Sequence, residues 1–141
     1  MFGRTVSGFG SRAKRGAAPL SLSLSSSSGD VEVVAPAGGG GTVAIADFGI
    51  SISATATGGA GGYSYAWTNT ELVDDDNVYS VSATGTTNAS SYSGLVIAMD
   101  TSGDSGGEEH AGQYRIRCTV TDSASATATA DFTLNVTGIV E

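Results

Sequence analysis

Two stretches in the last third of the chain alternate apolar and polar residues without interruption, and they constrain the fold more than any other feature. From Gln113 to Thr121, Tyr114, Ile116, Cys118 and Val120 share one parity while Arg115, Arg117 and Thr119 share the other. From Thr127 to Thr137, Ala128, Ala130, Phe132, Leu134 and Val136 alternate with Thr129, Asp131, Thr133 and Asn135. A strict period of two places one set on a buried face and the other in water, the pattern of a half-buried antiparallel strand. No stretch carries a helical period beyond a turn or two, so the pattern predicts an all-β fold.

The remaining strands follow from shorter runs bounded by glycine, proline and aspartate. Asp30 to Val34 is closed by Pro36 and the Gly38 to Gly41 run, which reads as a turn because it lacks the lysine and following helix of a phosphate-binding loop. Thr42 to Thr57 reads as one long strand with Phe48, Ile50, Ile52, Ala54 and Ala56 facing inward. After Gly58 to Gly62, Tyr63, Tyr65 and Trp67 share a face; Val78 to Ala83 and Gly94 to Met99 supply two more strands, and a Gly/Asp-rich loop spans Thr101 to Glu109. The expected core is Ile50, Ile52, Tyr65, Trp67, Tyr114, Ile116, Cys118, Val120, Phe132 and Leu134. Trp67 alone buries about 150–250 Å², roughly 4–6 kcal/mol of gross transfer energy.

Composition narrows the function classes. With 40% hydrophobic residues in 141, one core is feasible and a second hardly so. No apolar run approaches the roughly 20 residues that cross a bilayer. One cysteine excludes an intrachain disulfide framework and a multi-cysteine zinc site. No catalytic residue, cofactor or metal is expected. His110 reads as a loop histidine and Cys118 as a small buried thiol, and they are the only nucleophile and base of their types.

Other clusters have plainer readings. Asp74, Asp75 and Asp76, and separately Asp100, Asp104, Glu108 and Glu109, could offer oxygens to calcium, but neither stretch has the Asp-x-Asp-x-Asp-Gly spacing, and solvated acidic loops are expected. Tyr63 and Tyr65 could stack on sugars, although their parity with Trp67 favours packing. Arg115 and Arg117 should project from the opposite face and pair with acids.

Charge is divided along the chain. Arg4, Arg12, Lys14 and Arg15 stand in a stretch without acids, while residues 16–141 hold two arginines against all 14 acids. A body at −12 repels phosphate, so nucleic acid is not the expected partner. Leucines broken by serines provide no continuous apolar segment of a signal peptide. Residues 1–29 are therefore read as an extended arm and 30–141 as the domain. Within the arm, Leu20, Leu22 and Leu24 alternate with Ser21, Ser23 and Ser25, either as a strand added to another chain's sheet or as the domain's own first strand. On the first reading Arg4, Phe9, Arg12, Lys14, Arg15, Leu20, Leu22 and Leu24 form the partner-binding set, and removing residues 1–24 should leave a folded body.

Tyr65-Ala66-Trp67, followed by Ala111-Gly112-Gln113-Tyr114-Arg115-Ile116 and then Val120-Thr121-Asp122, resembles the immunoglobulin-like superfamily, especially its PKD-type and bacterial Ig-like branches. The resemblance covers roughly residues 30–137 and implies a single antiparallel Ig-like β-sandwich without a disulfide. It makes Trp67 the strand-C tryptophan and Tyr114 the tyrosine-corner residue. An acidic, Gly/Ser/Thr/Ala-rich body of this kind behind a basic arm also resembles tailed-bacteriophage capsid decoration (cement) proteins. That implies a virion protein on the capsid exterior whose partners are the major capsid protein or copies of itself in a large homo-oligomeric assembly, with no membrane. A phage tail or connector subunit is the first alternative; a secreted adhesion or carbohydrate-binding module is the second.

Overall fold

The computed structural model describes residues 16–83 and 88–141. Ten strands organise them: β1 Ser21–Leu24, β2 Ser28–Ala35, β3 Gly40–Ala44, β4 Ile52–Thr57, β5 Ser64–Asp74, β6 Tyr79–Ala83, β7 Ser91–Tyr92, β8 Leu95–Asp100, β9 Glu109–Thr121 and β10 Thr127–Val140. Among the described residues the helical content is two 3-10 turns, Ile45–Phe48 and Asp75–Asn77, so the fold is all-β, and no described helix is long and apolar enough to cross a membrane.

One layer is a four-stranded sheet in the order β2-β10-β9-β5. Its centre is the pairing of the two strongly alternating segments, with Phe132 opposite Ile116 and Leu134 opposite Tyr114. On one side β5 pairs antiparallel with β9, bringing Trp67 opposite Cys118. On the other, β2 runs parallel to β10. The facing layer is split into β1-β4-β7 and β3-β8-β6. β7 and β8 follow each other closely, so this part of the chain leaves one small sheet and enters the next.

The layers close on a shared core. The rings of Trp67 and Tyr92 stack at 5.1 Å and 27°, and the Trp67 Nε1–H donates to the Ala89 carbonyl at 2.7 Å. Ile52, Ile116, Cys118, Val120, Phe132 and Leu134 are buried, as are Trp67 and Tyr114, while Ile50 and Tyr65 are half-buried against them. The same core takes Val31 and Val33 from β2 and Leu95, Ile97 and Met99 from β8. The result is a β-sandwich-like fold compatible with an Ig-like domain.

Three expectations need correction. Thr42 to Thr57 is not one strand: the 3-10 turn at Ile45–Phe48 and the positive φ of Gly49 reset the parity. Ile45 is therefore completely buried and Phe48 is 44% exposed, the reverse of the alternation. The leucine run is the body's own strand: β1 pairs antiparallel with β4, setting Leu22 against Ala56 and Leu24 against Ala54, large side chains beside small ones. Leu22 and Leu24 pack on the core, Leu20 is half-buried beside Gly59, and the Ser21 and Thr57 hydroxyls hydrogen-bond at 2.8 Å. The sheets thus include residues 21–24 and 28–29, assigned above to the arm, and removing residues 1–24 would strip β1 from the edge of β4. Finally, the Tyr114 hydroxyl is buried without a hydrogen-bond partner among the described residues, so it makes no tyrosine-corner bond. Tyr79 closes the start of β9 instead, donating to the His110 carbonyl at 2.8 Å.

Candidate functional site

The long strands β9 and β10 carry the chain between two ends of the sandwich, and chemistry-bearing side chains converge at the end where β9 begins. Two connections build this end. Between β5 and β6, Asp76 and Asn77 adopt left-handed backbone, φ 59° and 62°, a conformation that aspartate and asparagine tolerate better than most residues. Asp74 steadies this turn by accepting the N–H groups of Val78 and Tyr79 at 3.1 and 3.3 Å. Between β8 and β9, Thr101 is fully buried; its hydroxyl donates to the Pro36 carbonyl at 2.7 Å and accepts the Gly39 N–H at 3.0 Å. The far side of that loop is tied to β10, because the Gly107 N–H donates to the Val140 carbonyl and the Val140 N–H to the Glu108 carbonyl.

His110 sits between the two connections. It belongs to β9, not to a loop, and shares the buried parity of Gly112 and Tyr114. Opposite it in the ladder is Gly138, where a Cβ would collide with Met99 and the Tyr79 hydroxyl. The absent side chain thus admits Tyr79 over the strand, and burial pushes the Tyr79 phenol up to about 12. The imidazole is 4% exposed, with Nε2 3.1 Å from Asp104 Oδ2 and Nδ1 3.5 Å from Asp76 Oδ2. Donor atoms of Asp104, Glu108 and His110 all lie within 4.8 Å of one another. Beside them a polar cleft of about 230 Å³ is lined by Asp76, Asn77, Val78, Asp100, Ser102, Gly103 and Asp104.

The sequence read these acids as two separate loops and His110 as unrelated. A signal existed: carrying the alternation of β9 backward from Tyr114 through Gly112 puts His110 on the inner face. Its approach to Asp76 depends on the pairing of distant strands, which no local pattern encodes.

Other singled-out residues have structural roles. Cys118 is completely buried, burial pushes its thiol up to about 11, and eight strand residues place it roughly 26 Å from His110. Arg117 makes a bidentate pair with Asp131 at 2.6 and 2.7 Å, whereas Arg115 Nε is buried without a hydrogen-bond partner among the described residues. The Tyr63 hydroxyl donates to the Gly58 carbonyl at 2.6 Å, and Tyr65 packs on the core, an arrangement unlike a paired stacking platform. Arg4, Phe9, Arg12, Lys14 and Arg15 lie outside the described residues. No protein-family model, curated protein or solved structure matches the chain.

Proposed function

We propose that this chain is a structural protein of a tailed-bacteriophage particle, a capsid decoration protein whose basic leading segment anchors it to the major capsid protein or to neighbouring copies while the acidic β-sandwich faces outward. The observation that carries the reading is the division of charge: four cations without an acid in residues 1–15, and two arginines against 14 acids in the rest. Such a chain has a head that repels its own kind and a tail that seeks acidic surface. β1 and β2 complete the body's own sheets, and the run of leucines is used internally. The anchoring set accordingly contracts to Arg4, Phe9, Arg12, Lys14 and Arg15. Surface ion pairs are individually weak, so occupancy on a lattice comes from many copies acting together.

Immunogold labelling of purified tailed-phage particles with an antibody against the chain tests the reading: label over the shell is expected, label confined to the tail transfers the chain to a tail or connector role, and unlabelled particles overturn the proposal. A variant lacking residues 1–15 should keep the far-ultraviolet spectrum and melting temperature of the full chain yet fail to co-sediment with particles. Because exposed pairs are screened within about 10 Å at 0.1 M salt, attachment of the full chain should fall with ionic strength. Salt-independent attachment would replace charge with apolar clamping.

A further inference from the structure

We propose that Asp104, Glu108 and His110 form a binding site for one first-row divalent cation of the zinc class, with Asp76 orienting the imidazole from behind. This site is independent of the proposed virion role.

The acids alone would not make a site, but His110 changes the chemistry. Its side chain is 4% exposed, and its Nδ1 makes no hydrogen bond among the described residues, although Asp76 Oδ2 stands 3.5 Å away. Nε2 lies 3.1 Å from Asp104 Oδ2. Bonds of about 2.1 Å in a tetrahedron set neighbouring donors roughly 3.4 Å apart, so an ion between Nε2 and Asp104 needs that pair to open only slightly. The donors lie within 4.8 Å of one another, and Glu108, exposed at the loop end, must swing inward to close the third position. Water supplies the fourth.

The outer contacts match what a metal-bound imidazole requires. A histidine that ligates through one nitrogen typically donates its other N–H to a carboxylate, which fixes the tautomer and ring orientation. Here Nδ1–H would point at Asp76, and the Tyr79 hydroxyl fixes the backbone by donating to the His110 carbonyl at 2.8 Å. The loop bearing Asp104 and Glu108 is already tied to Pro36, just past β2, through Thr101 and to β10 through Val140, so little ordering is left for the ion to impose. Calcium fits poorly, because it takes about six to eight oxygens, whereas an imidazole with two carboxylates suits zinc-class ions. Bound there, the cation staples the 101–108 loop to β9 at the open end of the sandwich.

The test uses the full chain without an affinity tag, titrated with Zn²⁺ by calorimetry and followed by ¹⁵N correlation spectra of the imidazole, which are unambiguous because the chain has one histidine. Expected are one ion per chain, a shifted Nε2 resonance, and Nδ1 retaining its proton. Glu108→Gln, at an exposed position that spares the fold, should weaken Zn²⁺ at least tenfold, as should Asp76→Asn through the ring, while Glu71→Gln leaves it unchanged and millimolar Ca²⁺ does not compete. Absence of binding, binding that leaves the imidazole resonances unmoved, or equal weakening by Glu108→Gln and Glu71→Gln would overturn the proposal.

Discussion

The two ends of the sandwich handle their acids in opposite ways. Where β9 finishes, the Asp122 carboxylate accepts the N–H groups of Ala60, Ala124 and Ala126 at 2.8, 2.9 and 2.9 Å, and these bonds, Ala60 foremost and then Ala126, hold it below the usual carboxylate range. Gly59 packs against it with φ 62°, in a space that a Cβ would take from the carboxylate. That end completes itself with backbone donors. Where β9 starts, Asp76, Asp104 and His110 face one another as side chains, and an imidazole nitrogen is left over. An acid whose lone pairs are filled by main-chain N–H groups is part of the fold, whereas side chains that converge without filling one another's valences are available to a ligand.

The contrast can be attacked from the middle outward. Trp67 lies between the ends, and Trp67→Ala should cost about 3–5 kcal/mol in denaturant unfolding, because the stack on Tyr92 and the bond to Ala89 go with it; a loss under about 1 kcal/mol would show that the layers close without it. Next comes Asp122. Its depressed folded-state pKa means that its contribution is present above the unfolded value near 3.8 and is lost as pH falls through the folded one. Asp122→Asn should lower the melting temperature at neutral pH and flatten the acid limb, and an unchanged limb would deny that this end is closed by the carboxylate. At the other end, Tyr79→Phe should cost about 1–2 kcal/mol by removing the hydroxyl's bond to the His110 carbonyl. Smallest and opposite in sign, Tyr114→Phe should be neutral or stabilising by up to about 1 kcal/mol, since it removes a buried hydroxyl that bonds to nothing described. A destabilised Tyr114→Phe would reinstate the tyrosine-corner role.

How much of this was legible in the sequence depends on whether a segment keeps the same neighbours along its whole length. β9 and β10 keep a single register along their shared ladder, and their alternation survives intact from sequence to sheet. The segment from Thr42 to Thr57 must pair first with β8 and then with β1 and β7, so it breaks at Ile45–Phe48, and period two misassigns Phe48 and Ile45. β1 was legible as a strand but not as to its partner, because the leucine alternation specifies a face and not the chain that covers it. The His110 cluster was hidden for a related reason: its members come from the β5–β6 turn, the β8–β9 loop and β9, joined only by the closing of the two layers.

The parallel pairing of β2 with β10 has a mechanical consequence. Tension that draws residues preceding β2 one way while the far end of β10 is held the other slides these neighbours lengthwise, so the rungs from Ser28 to Ala35 resist together. Peeling apart would break them singly. Pulled through its leading segment, the body would load β1 against β4 first and reach these rungs only after β1 has left.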